Sequence, residues 1–298
     1  MGKRENHDLA LETRENSDLD AKRPLLVYLR GILASLKPTE RLIAECVLAD
    51  PEKVITSSIA EISRSAGASV GSIVGFCRRL GVKGFADFKI ALARDLAQAG
   101  LSAGDTQRNG SLFEKVFHFH AQSLMETLQI NSEANFERAA QAIEKARKVE
   151  FFSIGISYPV AYTAYCKFQL IGLAASSQFD SHIQLIVATQ MKPGDVAFGI
   201  SCSGTTRETV QCLEVAKAKG ATTICLTNAM KSPITTCADI ALYATPSEIK
   251  YFQAPLASRV TQLAVIDALF VALALKNKNR TAGRLQQSGE ELLKRRLD

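Results

Sequence analysis

The stretch that most restricts how this chain can fold is Ile200-Ser201-Cys202-Ser203-Gly204-Thr205-Thr206-Arg207-Glu208. The run before it, Val196 to Ile200, is apolar and reads as a buried strand. The stretch after it sets Val210, Leu213, Val215 and Ala216 on the apolar side of an amphipathic helix. A strand, a loop of small polar residues and a helix therefore follow one another without a gap. Such a loop leaves backbone N–H groups unpaired at a helix amino end, where the helix dipole adds partial positive charge. Gly204 lets the backbone approach a ligand, and the hydroxyls of Ser201, Ser203 and Thr206 can donate to the same anion. That chemistry suits an oxyanion, phosphate first among them. The plainer alternative is that serine and threonine merely cap the helix. Four small polar residues crowded at one strand end favour the anion site.

The same alternation runs through the whole second half. Strands are expected at 149–154, 174–179, 196–200, 222–227 and 240–244. Helices are expected at 159–170, 182–191, 206–219, 233–238 and 255–275, with a basic helical tail from Lys276. Two further helices, 112–130 and 136–147, precede the first strand. Strands alternating with helices predict a three-layer α/β domain whose parallel sheet is covered on both faces, with sites at the strand C-termini. Ser157, after the first strand, falls at such an end as well.

Residues 24–99 read as all helical. Pro24 suits a first turn, and Leu25, Leu26, Leu29, Ile32 and Leu33 recur at helical spacing. Lys37-Pro38-Thr39-Glu40 restarts a helix that Asp50-Pro51 is expected to stop. Ser58 and Glu61 have capping-box spacing, Gly67 suits a helix end, and Ser69 opens a second helix from Val70 to Leu80 that Gly81 closes. Two short helices across a tight glycine turn, the second rich in arginine, follow the helix-turn-helix pattern. Ile59, Ile62, Val70, Ile73 and Val74 are expected to hold the pair together. Ser69, Gly71, Ser72, Gly75, Arg78 and Arg79 are left for the outer face.

Charge points the same way. The net charge of +6 is unevenly placed. Between Arg64 and Arg94 the basic residues Arg64, Arg78, Arg79, Lys83, Lys89 and Arg94 face only Asp87, a concentration that suggests contact with a polyanion. At 298 residues there is chain enough for two domains. The expected division is a disordered, charged tail over 1–23, a helical domain over 24–99, a polar glycine-rich linker over 100–111 and the α/β domain over 112–298. The tail lacks the apolar core of a secretory signal, and no apolar run is long enough to span a membrane. The seven cysteines have no CxxC spacing and are odd in number, which suggests reduced thiols in a cytoplasmic protein. Four histidines without ligand spacing imply no metal, and nothing implies a cofactor.

Two resemblances follow from these residues. The string from Ser69 to Lys89, above all Phe76-Cys77-Arg78-Arg79-Leu80-Gly81 and Gly84-Phe85 through Phe88-Lys89, resembles the helix-turn-helix of the RpiR family of bacterial regulators. Gly71 and Gly75 depart from it: relatives carry bulkier or polar residues there, arginine in place of Gly75. Glycine inside a helix costs about 1 kcal/mol relative to alanine, so DNA affinity or target sequence is expected to differ. The second half resembles the sugar isomerase (SIS) phosphosugar-binding domain. Gly155-x-Ser157 and Ser201-x-Ser203-Gly204-x-Thr206 carry the likeness, and Ser153 stands where the first motif begins with glycine. Asp180-x-His182-x-Gln184 and Ser258-Arg259 through Asp267 look like regulator members of that group.

The resemblance implies a SIS-like sheet of flavodoxin-like order. It also implies a transcriptional regulator, not an enzyme, whose operator binding responds to a phosphorylated sugar. Ser157, Ser201, Ser203, Gly204 and Thr206 would hold the phosphate, with His182, Glu208 and Glu248 as candidates for the sugar. Ser69 and Ser72 would begin the recognition helix, and Arg64, Arg78, Arg79, Lys83 and Lys89 would contact double-stranded DNA. The apolar helix after Pro255 would join SIS domains into a homodimer or tetramer. The rival reading is a phosphosugar isomerase with a helical appendage, which needs a general base from Glu208, Glu248 or His182.

Overall fold

The computed structural model describes residues 24–102, 111–245, 258–276 and 278–294. The expected disordered tail, most of the expected linker and the candidate Glu248 lie outside the described residues. Contacts divide the chain into two units, with the division between Gln122 and Ser123.

The first unit contains α1 (Leu25–Ile32), a 3-10 turn (Leu33–Ser35), α2 (Pro38–Ala49), α3 (Pro51–Thr56), α4 (Ile59–Ala66), α5 (Val70–Arg79) and α6 (Phe85–Ser102). Asp50-Pro51 does more than stop α2. The Asp50 carboxylate accepts from the Lys53 amide at 3.0 Å and Pro51 takes the first helical position, so the same dipeptide starts α3. The capping box of α4 forms as its spacing predicts: the Glu61 amide donates to Ser58 Oγ at 3.3 Å and the Ser58 amide donates to the Glu61 carboxylate at 2.6 Å. Gly67 ends α4 at φ 63°.

The core of this unit is built from Leu29, Ile43, Val47, Val54, Ile62, Ile73, Phe76, Phe88 and Leu92, all buried. Val70 is a correction to the expected helix pairing. The buried stripe of α5 is Ile73, Phe76 and Cys77; Val70, one turn upstream at the first helical position, is 44% exposed.

The helix α7 (Leu112–Ile130) runs across the division between the units. The second unit continues with α8 (Glu133–Lys145), β1 (Lys148–Phe152), a 3-10 turn (Gly155–Ser157), α9 (Tyr158–Leu170), β2 (Ala175–Ser177), α10 (Ser181–Thr189) and β3 (Asp195–Ile200). Then come α11 (Arg207–Ala218), β4 (Thr222–Thr227), α12 (Pro233–Cys237), β5 (Ile240–Tyr243), α13 (Ser258–Lys276) and α14 (Lys278–Leu293). The five strands pair in parallel in the order β2-β1-β3-β4-β5.

Alternate strand residues feed two separate cores, as the two-residue period requires. Val149, Phe151, Val196, Phe198, Ile200, Ile224 and Leu226 pack beneath α8, α9 and α13. Phe152, Ala197 and Cys225 pack beneath α10, α11 and α12. Three layers result. The seven cysteines carry thiols, and burial pushes Cys77 up to about 11 and Cys212 up to about 12, so both stay protonated at neutral pH.

Candidate functional site

After β1 the chain steps outward to β2 and then returns past β1 to lay down β3. The connections leaving β1 and β3 therefore diverge, and open parallel sheets hold their ligands in the crevice this leaves at the strand C-termini. Both hydroxyl-bearing loops lie there.

The first loop is clamped from two sides. Ser153, fully buried, donates from Oγ to the Ile200 carbonyl at 2.8 Å and so ties the end of β1 to the end of β3. Gln184, buried on α10, accepts from the Ser153 amide at 3.0 Å and donates to the Ser153 and Gln178 carbonyls at 2.9 and 2.8 Å. The Ser153 amide and carbonyl are thereby both paired inside the protein. Ser157 follows in the 3-10 turn and accepts from the Cys202 amide at 3.4 Å, which joins the two loops directly.

The second loop folds around Ser201. Its Oγ lies 2.9 Å from Thr206 Oγ1 and accepts from the Gly204 amide at 3.1 Å. Ser203 accepts from the Thr205 hydroxyl at 2.9 Å and amide at 3.3 Å. Neighbouring elements brace the turn: the Asn228 amide donates to the Cys202 carbonyl at 3.1 Å and the Ile234 amide to the Gly204 carbonyl at 3.0 Å. Gly204 adopts φ 67°, and a Cβ there would lie 2.6 Å from Ser232 Cβ and 3.0 Å from Thr227 Oγ1. Glycine is required on both counts.

The amino end of α11 is left open. Thr206 is its N-cap but makes no side-chain cap hydrogen bond, its hydroxyl being turned to Ser201. The first-turn amides of Arg207, Glu208 and Thr209 have no carbonyl one turn back within the helix. The adjacent α10 differs. There the Asp180 carboxylate accepts from the His182 and Ile183 amides at 2.9 and 3.0 Å, filling the amino end with negative charge. Of these two helices, α11 is the one that offers amides and a positive dipole end to an outside anion.

The sequence-derived candidates divide accordingly. Ser157, Ser201, Ser203, Gly204 and Thr206 are brought together. His182 and Glu208 sit in the first turns of α10 and α11, exposed, without a hydrogen bond to the loops among the described residues. The sequence alone marks Ser153 and Gln184 only as parts of a resemblance, because their contact joins positions 31 residues apart.

In the first unit, Ser69 caps α5: it accepts from the Ser72 amide at 3.1 Å and its hydroxyl lies 2.9 Å from that of Ser72. Arg64, Arg78 and Lys83 are exposed and make no ion pair among the described residues. Arg79 is also exposed, but its guanidinium holds both oxygens of Glu40 at 2.6 and 2.7 Å. Lys89 donates to the Ser57 carbonyl at 3.1 Å and lies over the Phe85 ring.

Comparison with known proteins matches the helix-turn-helix domain of the rpiR family to residues 24–99 and the SIS domain to residues 142–272. An uncharacterized helix-turn-helix-type transcriptional regulator of Caldanaerobacter subterraneus subsp. tengcongensis is 36% identical over 278 residues, covering 92% of this chain and 99% of that one. The NanR protein of Vibrio vulnificus, solved in complex with ManNAc-6P, is 25% identical and superposes with a TM-score of 0.59, covering 92% of this chain and 100% of that one. The sugar isomerase domain of an RpiR transcription factor from Sphaerobacter thermophilus is 25% identical with a TM-score of 0.56, covering 61% of this chain and 99% of that one.

Proposed function

The chain belongs to the RpiR family of helix-turn-helix transcriptional regulators, and from that premise we propose that it regulates sugar-metabolism genes through operator binding that responds to a phosphorylated sugar. The observation that carries the effector half is the convergence of two hydroxyl-rich loops at the β1–β3 crevice, beside a helix whose amino end has no side-chain cap. In this reading the phosphate takes the first-turn amides of α11 together with the hydroxyls of Ser157, Ser201, Ser203 and Thr206. The backbone of Gly204 closes the turn around it. His182 and Glu208, at the rims of neighbouring helices, are the described side chains assigned to the sugar. The similarity to NanR, solved with ManNAc-6P, supports an effector of this class.

The first unit supplies the operator contacts. Ser69 and Ser72 open the recognition helix, and Arg64, Arg78 and Lys83 supply phosphate contacts from exposed positions. Arg79 and Lys89 join them only by exchanging Glu40 and the Ser57 carbonyl for DNA. A homodimer or tetramer through the second unit matches two recognition helices to two half-sites. Exposed Val260, Val271 and Leu275 on α13 support that assembly. The effector acts by binding two arrangements of the assembly with different affinity. No single described helix is long and apolar enough to cross a membrane, and we place the protein in the cytoplasm with its DNA. An isomerase would have no use for the basic helical half, and His182 and Glu208 lie on separate helices with no bond between them.

The test is a mobility shift on the upstream region of the chain's own gene, with a panel of phosphorylated sugars that includes N-acetylhexosamine 6-phosphates. One compound is expected to alter the shift of the wild type. Ser201→Ala with Thr206→Ala is expected to keep DNA binding and lose that response. Arg78→Ala is expected to weaken binding across sequences and lower the salt slope by about one. Turnover of a panel sugar without any DNA binding would replace the regulator by the enzyme.

A further inference from the structure

Helix α5 carries two glycines for which the folded unit gives no reason. Gly71 and Gly75 lie inside the helix, and neither has positive φ. A Cβ at Gly75 would meet nothing within 4 Å, and one at Gly71 would meet only Ser69 Oγ at 3.8 Å, an ordinary contact. Alanine fits at both positions, yet the chain keeps one of the least favourable residues for a helix interior. Gly71 and Gly75 are four apart and share a face, which Arg78 continues one turn on. All three are exposed. Beside them stands Val70, an apolar side chain at the first helical position that the unit leaves uncovered.

These facts fit a face shaped for something outside the unit. Resting on the regulator reading, where the first residues of the recognition helix meet base edges in the major groove, we propose that Val70 is a base-reading residue. Its methyls pack on the 5-methyl group of a thymine, while Gly71 and Gly75 stay bare so that the helix comes close enough. Valine is short, and its γ-methyls reach a base edge only if the helix backbone lies close to the groove floor. A side chain on the ridge one or five residues further on would hold the backbone away. The thymine methyl is the one apolar group a base pair shows in that groove, and an apolar side chain is its natural partner. Arg78, at the far end of the same ridge, is left to a phosphate. The glycines alone would not identify the partner. The family membership identifies it as DNA, and the uncovered valine indicates which feature of DNA is read.

The experiment uses the full chain. Duplexes are selected from a random-sequence pool by the wild type, and each thymine of the selected consensus is replaced singly by deoxyuridine, which removes only the methyl. At one thymine per half-site the wild type is expected to lose about fourfold in affinity, the worth of one buried methyl. Val70→Ala is expected to bind the parent duplex more weakly and to show no further loss on that deoxyuridine duplex. A Val70→Ala variant with the wild-type penalty at every thymine overturns the assignment. Gly71→Ala and Gly75→Ala are each expected to melt higher than the wild type and bind the parent duplex at least tenfold more weakly; undiminished affinity overturns the close-approach argument. Altered oligomeric state of Val70→Ala without DNA would give the face to a second copy and overturn the proposal. If the wild type enriches no sequence from the pool, the regulator reading fails first and the role of Val70 falls with it.

Discussion

Gly204→Ala is the sharpest perturbation of the anion loop, because two separate costs can be worked out and then separated. The first is conformational. At φ 67° an L-residue pays for a left-handed backbone, roughly 1–2 kcal/mol. The second is steric. The new Cβ would lie 2.6 Å from Ser232 Cβ, and although the Ser232 hydroxyl can rotate away, its Cβ cannot. Overpacking of this kind costs about 1–3 kcal/mol. Together they come to roughly 3 kcal/mol, or a melting temperature lower by about 6–12 °C for a unit of this size. The assay is thermal denaturation of the wild type, Gly204→Ala, Ser232→Gly and the double variant. Ser232 is the N-cap of α12, where glycine in place of serine costs a few tenths of a kcal/mol, and it also loses the Ser232 hydroxyl's bond to the Ala229 carbonyl, about 1 kcal/mol. Ser232→Gly alone is therefore expected to melt a few degrees below the wild type, and adding Gly204→Ala to it should cost only the backbone part. If Gly204→Ala melts with the wild type, or Ser232→Gly restores nothing, the account of why glycine stands in this loop is wrong.

Two further outcomes probe what surrounds the site. Gln184→Met keeps the volume but leaves the buried Ser153 amide and carbonyl unpaired. At about 1–3 kcal/mol per orphaned group, the second unit should lose roughly 2–6 kcal/mol and the Ser153 amide should exchange with solvent markedly faster; unchanged exchange would show that the clamp is not what holds the first loop. Glu150 is buried in β1 beside Ser176, and burial raises its carboxyl above the usual range against the pull of the Ser176 hydrogen bond and Lys148. With the folded value above the unfolded one, the protonated carboxyl's stabilisation is complete below the unfolded pKa and is lost as pH rises through the folded value. Glu150→Gln should therefore raise the melting temperature at neutral pH, with the gain shrinking towards about pH 4. A pH-independent difference would remove the charge from the explanation.

Much of the first unit was readable because its signals are local. Ser58 with Glu61, Gly67 and Ser69 each act within four residues, and each does what its spacing implies. Asp50-Pro51 shows the limit even at short range. The dipeptide carries a stop and a start signal at once, and only Asp50 reaching the Lys53 amide shows that both are used. Val70 has the spacing of a core residue and is not one, since burial on α5 begins only at Ile73. In the second unit the alternation of strands and helices was legible, as was the hydroxyl-rich loop after β3. The clamp on the first loop was not, because Ser153 and Gln184 meet across 31 residues.

The sequence by itself determined what depends on neighbours along the chain: where helices and strands begin and end, where a glycine must turn, and where hydroxyls and positive charge are concentrated. Tertiary structure alone decided which of these groups have partners. Arg78 and Arg79 are adjacent and chemically identical, yet Arg79 is held by Glu40, 39 residues away, and Arg78 is not. Ser153 stands in an ordinary strand-end turn, yet its hydroxyl goes to the Ile200 carbonyl, 47 residues away. The physical reason is the same in both cases. Helical and extended periodicity and capping are settled by the backbone within a turn, whereas the partner of a side chain is settled by which distant element the packed core brings against it.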